Sequence, residues 1–246
     1  MSDYWFQKLR AESSRFEILD FSPVVWLDSS DSDSVILNGS DVSQWTDKTG
    51  RGNNPVQGVA SSQPAYTNTL NGLNVITFDG SEHLKTGVFS ELVGKNYSFF
   101  IVARASGDPQ TFISGKKTDF SDRLICQTQS LGRLRFVHYV DEVESQLSSF
   151  GGYPVLNEYA LLECVLDKDS NVQKIITNGV EQGSKTIPAD KYNEPLENLF
   201  IGTIFTLTQF LTGDIAEIVM FDKILPESSS IAIRDQLRSK WGSSGW

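Results

Sequence analysis

The chain has 246 residues, of which 39% are apolar and 11% aromatic, an ordinary composition for one large globular domain. Its formal net charge is −10 at pH 7, and a surface of that sign repels nucleic acid and anionic membranes. No segment approaches the roughly 18 consecutive apolar residues of a membrane-spanning helix. We therefore expect no nucleic-acid partner and no membrane insertion.

Residues 1–22 differ in pattern from the rest and are interpreted as an N-terminal arm that includes a short helix. Large apolar side chains crowd its beginning: Tyr4, Trp5, Phe6 and Leu9. These side chains either fold back onto the sandwich or dock on a neighbouring subunit, and we expect docking, because exposed apolar groups of this size mark interaction sites. The segment lacks the basic start and long apolar run of a signal peptide, which predicts synthesis without export.

Residues 23–246 are predicted to form one domain of about a dozen short strands separated by turns. The segment Tyr97–Ala105 is almost continuously apolar, which is typical of a strand that is covered on both faces. Asn178-Gly179 is a strong hairpin signal, because both residues tolerate the positive φ angles of a type I′ turn. This spacing of strands and turns predicts an all-β sandwich.

The end of the domain has a different pattern. Residues 213–222 read as a buried strand, and residues 227–240 as a helix whose apolar stripe is Ile233, Leu237 and Trp241. Glu217 lies inside the otherwise apolar strand, so its carboxylate must find hydrogen-bond donors. We interpret Glu217 as a structural residue rather than a catalytic one.

Four landmarks follow one another along the domain: Trp26-Leu27-Asp28, Trp45 to Asn53, Phe78-Asp79-Gly80, and Gly213 to Gly242. In this order they resemble the LamG-like jelly-roll domains of the concanavalin A-like lectin/glucanase superfamily. The resemblance implies a jelly-roll sandwich of two curved antiparallel sheets. Such modules occur in phage virion proteins, bacterial surface proteins and glycan-binding or glycan-degrading enzymes, and the fold alone does not fix the function.

The resemblance and the arm together predict a non-catalytic binding or structural module of a phage virion. We expect a fibre, decoration or host-surface glycan-binding protein that is made in the host cytoplasm and forms a homo-oligomer. The arm would dock it on other virion proteins. Tyr153, in a Gly-rich loop, and Tyr139, at the end of a strand, are the aromatic side chains expected to contact a glycan.

Two alternative functions are also compatible with the sequence. A glycan hydrolase or lyase needs paired carboxylates, and Glu142 and Glu144 are spaced to share a strand face, about 7 Å apart; we interpret them as the solvated tip of a hairpin. A soluble calcium-dependent lectin needs a cluster of oxygen ligands, for which Asp28, Asp31 and Asp33 are candidates. We interpret these three as a polar surface loop, and we expect no metal and no cofactor.

The sequence contains two cysteines, Cys126 and Cys164, both inside apolar strand patterns. Neither belongs to a Cys-x-x-Cys motif, so they do not predict a zinc site. Buried free thiols are the expectation, and a disulfide between them is the alternative.

Overall fold

The computed structural model describes residues 17–130, 132–140, 143–149, 156–187, 192 and 194–242. Within these residues the chain forms sixteen strands and one α-helix, α1 (Glu227–Trp241). The strands are β1 (Val25–Asp28), β2 (Val35–Asn38), β3 (Asp41–Trp45), β4 (Ala65–Leu70), β5 (Leu73–Asp79), β6 (Leu84–Lys85), β7 (Tyr97–Ala105), β8 (Thr111–Lys116), β9 (Arg123–Gln129), β10 (Arg133–Val140), β11 (Val143–Ser148), β12 (Ala160–Asp167), β13 (Val172–Thr177), β14 (Val180–Thr186), β15 (Asn198–Ile201) and β16 (Thr212–Phe221).

Two antiparallel sheets pack face to face. The larger has ten strands in the order β14-β13-β12-β7-β16-β5-β4-β3-β2, and β1 pairs with the second half of β16. The smaller has six strands in the order β11-β10-β9-β8-β15-β6. The predicted two-sheet antiparallel sandwich is confirmed.

The main core lies between the sheets, where alternate side chains of both meet. Phe99 and Ile101 of β7 and Phe136 of β10 are fully buried there. A second apolar cluster lies on the outer face of the ten-stranded sheet and is covered by α1. A third, smaller cluster lies on the outer face of the six-stranded sheet. Each sheet therefore buries part of both its faces.

The predicted C-terminal strand and helix are confirmed. The helix begins after Pro226, and its predicted stripe of Ile233, Leu237 and Trp241 is buried against the ten-stranded sheet. The predicted hairpin between β13 and β14 is also present. Asn178 and Gly179 both have positive φ, 49° and 77°, as a type I′ turn requires.

Most of the predicted arm lies outside the described residues. The part that is not described contains Tyr4, Trp5, Phe6 and Leu9. The last part of the arm is described: Ile18–Phe21 forms a short 3₁₀ helix, and Ile18 is 2% exposed in the cluster beneath α1. The boundary at residue 22 stays a prediction. In the described part of the chain, no helix combines the length and the hydrophobicity needed to cross a membrane.

Candidate functional site

The outer face of the six-stranded sheet carries apolar, aromatic and charged side chains. Along β10, Phe136 and Val140 point into the main core, so the alternate residues Val137 and Tyr139 face outward. The register of β9 places Arg123 opposite Tyr139. An arginine and a tyrosine thus stand side by side on this face.

An apolar floor supports this arrangement. Ile125, Val137, Phe200 and Phe205 are buried together on the outer face, and Tyr139 packs against them. Residues 202–211 lie over part of the floor, tied down by backbone hydrogen bonds from Gly202 to Phe112 and from Leu211 to Gly202. Because the floor is packed, the Tyr139 ring is held in place rather than free in solvent.

Beside this floor is a pocket of about 350 Å³. Its lining residues come from the turn before β9 and from the strand face: Asp119, Phe120, Ser121, Arg123 and Tyr139. The turn is held by hydrogen bonds from the Phe120 amide to the Lys117 carbonyl (3.0 Å) and from Ser121 Oγ to Asp119 Oδ1 (2.6 Å). The pocket is therefore built from an ordered turn and a rigid strand.

Phe120 is the most unusual residue of the pocket. Its φ is +64°, a left-handed conformation that is costly for a bulky side chain. Its ring is 44% exposed and meets the Phe205 ring edge-on, with the centroids 5.7 Å apart. The turn holds an aromatic ring at the pocket rim, where burial in the core would have been more favourable. A strained, exposed aromatic residue is a feature of binding sites.

Two cations lie against the two aromatic rings. The Arg123 guanidinium carbon is 3.9 Å from the Tyr139 ring centroid, and Lys116 Nζ is 4.2 Å from the Phe120 centroid. Arg123 Nε is buried and donates to no acceptor in the described part of the chain. Hydrogen bonds from Ser121 lower the pKa of Asp119, which keeps that group an ionised acceptor at neutral pH.

This combination suits a polyhydroxylated ligand. Aromatic rings stack on the apolar faces of sugar rings, and charged side chains exchange hydrogen bonds with hydroxyl groups. Lys116 is paired with Glu197 at 3.1 Å, so Arg123 is the cation lining the pocket that favours a ligand with a carboxylate. Glu144 lies opposite Tyr139 in the register of β10 and β11, and its carboxylate is 3.6 Å from Arg135 Nη2. The other carboxylate of the suggested pair, Glu142, lies outside the described residues.

The second glycan-contact candidate, Tyr153, also lies outside the described residues. Tyr139 lines the pocket, and its role in binding stays a prediction. Sequence reasoning missed Phe120 and Arg123, although an aromatic residue inside the polar turn at residues 118–122 was a usable signal. On the inner face of β10, His138 is buried, with its Nδ1 3.0 Å from Tyr97 Oη.

Glu217 has the hydrogen-bond donors that its burial requires, and they are side chains. Glu217 is 1% exposed and accepts hydrogen bonds from the indoles of Trp26 (2.7 Å) and Trp241 (2.6 Å) and from Lys240 Nζ (2.7 Å). Burial and the neighbouring Asp28 raise its pKa, which Lys240 only partly offsets. The network ties β1, β16 and the end of α1 together.

The suggested calcium loop has another role. Asp28 is buried, so the expectation of a solvated loop is wrong there; its carboxylate binds Lys240 Nζ (2.5 Å) and Lys48 Nζ (3.1 Å). Burial alone would raise the pKa of Asp28, but Lys240 and hydrogen bonds hold it below its ordinary value. Lys48 also pairs with Asp31 at 2.7 Å, and Asp31 accepts a hydrogen bond from the Asp33 amide. Among the described residues no group of three or more His, Cys, Asp or Glu side chains could hold a metal ion.

The two cysteines are both buried and free. Cys126 belongs to the six-stranded sheet and Cys164 to the ten-stranded sheet, and both lie in the main core. Burial raises the pKa of the Cys164 thiol, and the nearby Cys126 adds to the shift. The expectation of buried free thiols is confirmed.

A further buried carboxylate, Glu163, lies on β12 beneath α1. Burial raises its pKa to about 7; Arg234 and Lys174 act against this shift, and Glu227 adds to it. The folded state therefore holds the proton more tightly than the unfolded chain does. Stability contributed by that proton is present at low pH and is lost as pH rises from about 4.5 to 7.

Glu163→Gln should remove this pH dependence. We expect the variant and the wild type to be equally stable near pH 5, and the variant to be more stable at pH 8 by about 1–3 kcal/mol. Urea unfolding of both proteins across this pH range measures the difference. Parallel stability curves for the two proteins would show that Glu163 titrates normally.

No protein-family model matches the sequence, and no curated protein matches it. Solved structures do match. The binding domain of botulinum neurotoxin serotype G has a TM-score of 0.65 at 14% identity, covering 90% of this chain and 54% of that one. The CBM40 of the Ruminococcus gnavus IT-sialidase, bound to α2,3 sialyllactose, has a TM-score of 0.51 at 13% identity, covering 65% of this chain and 95% of that one.

A NanB sialidase from Streptococcus pneumoniae is also similar over a smaller region. Its TM-score is 0.48 at 14% identity, and the match covers 62% of this chain and 28% of that one. The chain thus spans little more than a quarter of the sialidase and about half of the neurotoxin domain. At these identities the likeness is one of fold. The neurotoxin domain and the CBM40 have the β-sandwich fold of this chain.

Proposed function

We propose that this protein is a non-catalytic carbohydrate-binding module and that its glycan lies in the pocket beside Phe120 and Tyr139. The observation that carries the proposal is the pair of aromatic rings, each with a cation against it, at the mouth of a pocket with a carboxylate and a hydroxyl. The Arg123 guanidinium, which lines the pocket beside the Tyr139 ring, favours a glycan with an acidic sugar.

The comparisons support the same class of function. The Ruminococcus gnavus CBM40 was solved bound to sialyllactose, and the similar domain of botulinum neurotoxin D is a receptor-binding domain. A role in binding rather than in catalysis also agrees with the placement of Glu217 and Asp28. Their carboxylates are held in a network that joins β1, β16 and α1. Neither of them faces the pocket.

Phe120→Ala should weaken glycan binding by about tenfold or more, because the ring is an exposed contact whose removal leaves the sheet intact. Binding is measured by calorimetry on the tightest ligand from a panel of acidic and neutral oligosaccharides that includes α2,3-sialyllactose and lactose. The matched control is Val180→Ala, which removes another exposed apolar side chain at the β13–β14 turn, far from the pocket. Equal affinities of the Phe120→Ala and Val180→Ala variants would contradict the proposal.

Arg123→Gln tests the preference for an acidic sugar. We expect it to lower the affinity for sialyllactose more than that for lactose, because only the former carries a carboxylate. Arg133→Gln, an exposed arginine on the neighbouring strand outside the pocket lining, serves as its control. The bound glycans should be recovered unchanged; cleavage would favour the hydrolase or lyase alternative.

The setting that we propose is a phage virion, in which residues 1–22 anchor the module and the pocket faces a host-surface glycan. The support is the resemblance of the sequence to LamG-like domains and the apolar character of Tyr4, Trp5, Phe6 and Leu9. The last part of this segment packs beneath α1. That position is on the opposite side of the sandwich from the pocket, so the arm and the glycan would not compete.

A further inference from the structure

A second cavity lies on the other face of the molecule, between α1 and the outer faces of β12 and β13. Its volume is about 330 Å³. Much of its wall is aliphatic: Val165, Val172, Ile176, Ile224 and Leu225. The two packed sheets separate it from the proposed glycan pocket, so it is a distinct cavity with its own chemistry.

Acidic side chains outnumber basic ones around this cavity. Glu163, Asp167 and Glu227 line it, and Lys174 is the lining cation. The Lys174 ammonium is engaged at 3.1 Å by Glu181 of the neighbouring strand. Arg234, behind the lining, pairs with both Glu163 and Glu227, so the cavity has a small excess of acidic over basic groups inside aliphatic walls.

The buried Glu163 lies beside the charged Arg234, but its Oε2 accepts no hydrogen bond from the described residues. It is 3% exposed, and its Oε2 lies 3.2 Å from Arg234 Nε. Arg234 directs its donors elsewhere: Nε to the Ser230 carbonyl (3.3 Å) and Nη2 to Glu227 (2.7 Å). Within the described residues, Glu163 Oε2 receives no hydrogen bond. A buried carboxylate oxygen without a donor is costly, and a ligand that donates to it would relieve that cost.

We propose that this cavity binds an alkylammonium group, with the nitrogen donating to Glu163 and the aliphatic stem lying against Val165 and Ile176. An ammonium group supplies the missing hydrogen-bond donor, and its charge is favoured by the carboxylates around the cavity. The aliphatic walls match a short hydrocarbon stem. An anion would face Glu163, Asp167 and Glu227, and a hard divalent cation would need more oxygen ligands than the described residues bring together here. The raised pKa of Glu163 agrees with a buried carboxylate that Arg234 compensates only in part.

Calorimetry or ligand-observed NMR with n-pentylammonium chloride at pH 8 tests the proposal. We expect weak but saturable binding, and none of comparable strength by pentanol, which lacks the charge, or by pentanoate, which has the opposite charge. A lysine side chain of another protein shares this chemistry, and Nα-acetyl-lysine amide represents that source. Binding of only one of the two amines would identify which source fits.

Glu163→Gln should weaken amine binding by about tenfold or more, whereas Glu197→Gln, which precedes β15 in the other sheet and removes a surface partner of Lys116, should leave it unchanged. The unmodified protein gives a second test. Its binding should fall between pH 8 and pH 5 as Glu163 takes up a proton, while the amine stays charged. Absence of binding at pH 8, equal binding by pentanol, or equal binding by the Glu163→Gln variant would each overturn the proposal.

Discussion

Glu217→Ala should lower the free energy of unfolding by about 3–5 kcal/mol, because it removes the common acceptor of a buried network. Two indole N–H groups, of Trp26 and Trp241, would lose their partner, and Lys240 would keep only Asp28. Chemical denaturation monitored by tryptophan fluorescence and circular dichroism measures the change.

Two further variants distinguish the loss of the buried acceptor from the loss of a carboxylate in general. Glu217→Gln keeps one acceptor oxygen and the volume of the side chain, so it should cost less than Glu217→Ala. Glu181→Ala removes a carboxylate that pairs with Lys174 on the surface, where ion pairs contribute about 0–1 kcal/mol. A Glu217→Ala protein as stable as the Glu181→Ala control would mean that the network does not hold these elements together.

Trp241→Ala should be destabilising by about 3–5 kcal/mol through lost packing and the cavity that remains. The side chain is fully buried and belongs to the same cluster as Ile233, Leu237 and Phe221. It is also the point at which the end of α1 is fixed to β16, through the hydrogen bond to Glu217.

Trp241→Phe distinguishes packing from hydrogen bonding. The phenyl ring fills much of the indole volume but donates nothing, so this variant should cost about 1–2 kcal/mol. In a double-mutant cycle, Trp241→Phe and Glu217→Gln should be non-additive, because both remove parts of one contact. Additive effects, or a Trp241→Ala protein as stable as wild type, would contradict the role assigned to this residue.

The local patterns predicted the elements well because each was set by nearby residues. Tyr97–Ala105 was predicted as one strand and β7 has the same bounds. The helix stripe at Ile233, Leu237 and Trp241 follows directly from the helical period. The Asn178-Gly179 turn is specified by two residues that accept positive φ.

Contacts between distant segments could not be predicted in the same way. Glu217 was expected to need donors, but the donors are side chains at positions 26, 240 and 241, and nothing local indicates that pairing. Asp28 was expected in a solvated loop, but the pairing of β1 with β16 places it opposite Glu217 in a buried position.

The pocket on the six-stranded sheet also depends on contacts between segments that are distant in the sequence. Tyr139 was predicted as a contact residue from its place at a strand end, and its neighbour Arg123 is determined by the register of β9 and β10. Register follows from tertiary pairing and turn geometry rather than from the composition of either strand. Phe120 enters the site through its positive φ, a conformation that the sequence does not reveal for a phenylalanine.

Chemical-shift mapping of the backbone amides, with the tightest-binding glycan of the panel added to isotopically labelled protein, tests whether the glycan lies in the pocket beside Phe120 and Tyr139. We predict that saturable shifts concentrate in residues 119–123 and around Tyr139, on the outer face of the six-stranded sheet. Amides of α1 and of β12, on the opposite face, should stay unchanged. Shifts centred on α1 or on another part of the ten-stranded sheet, with the residues around Phe120 unaffected, would contradict the proposed position of the glycan.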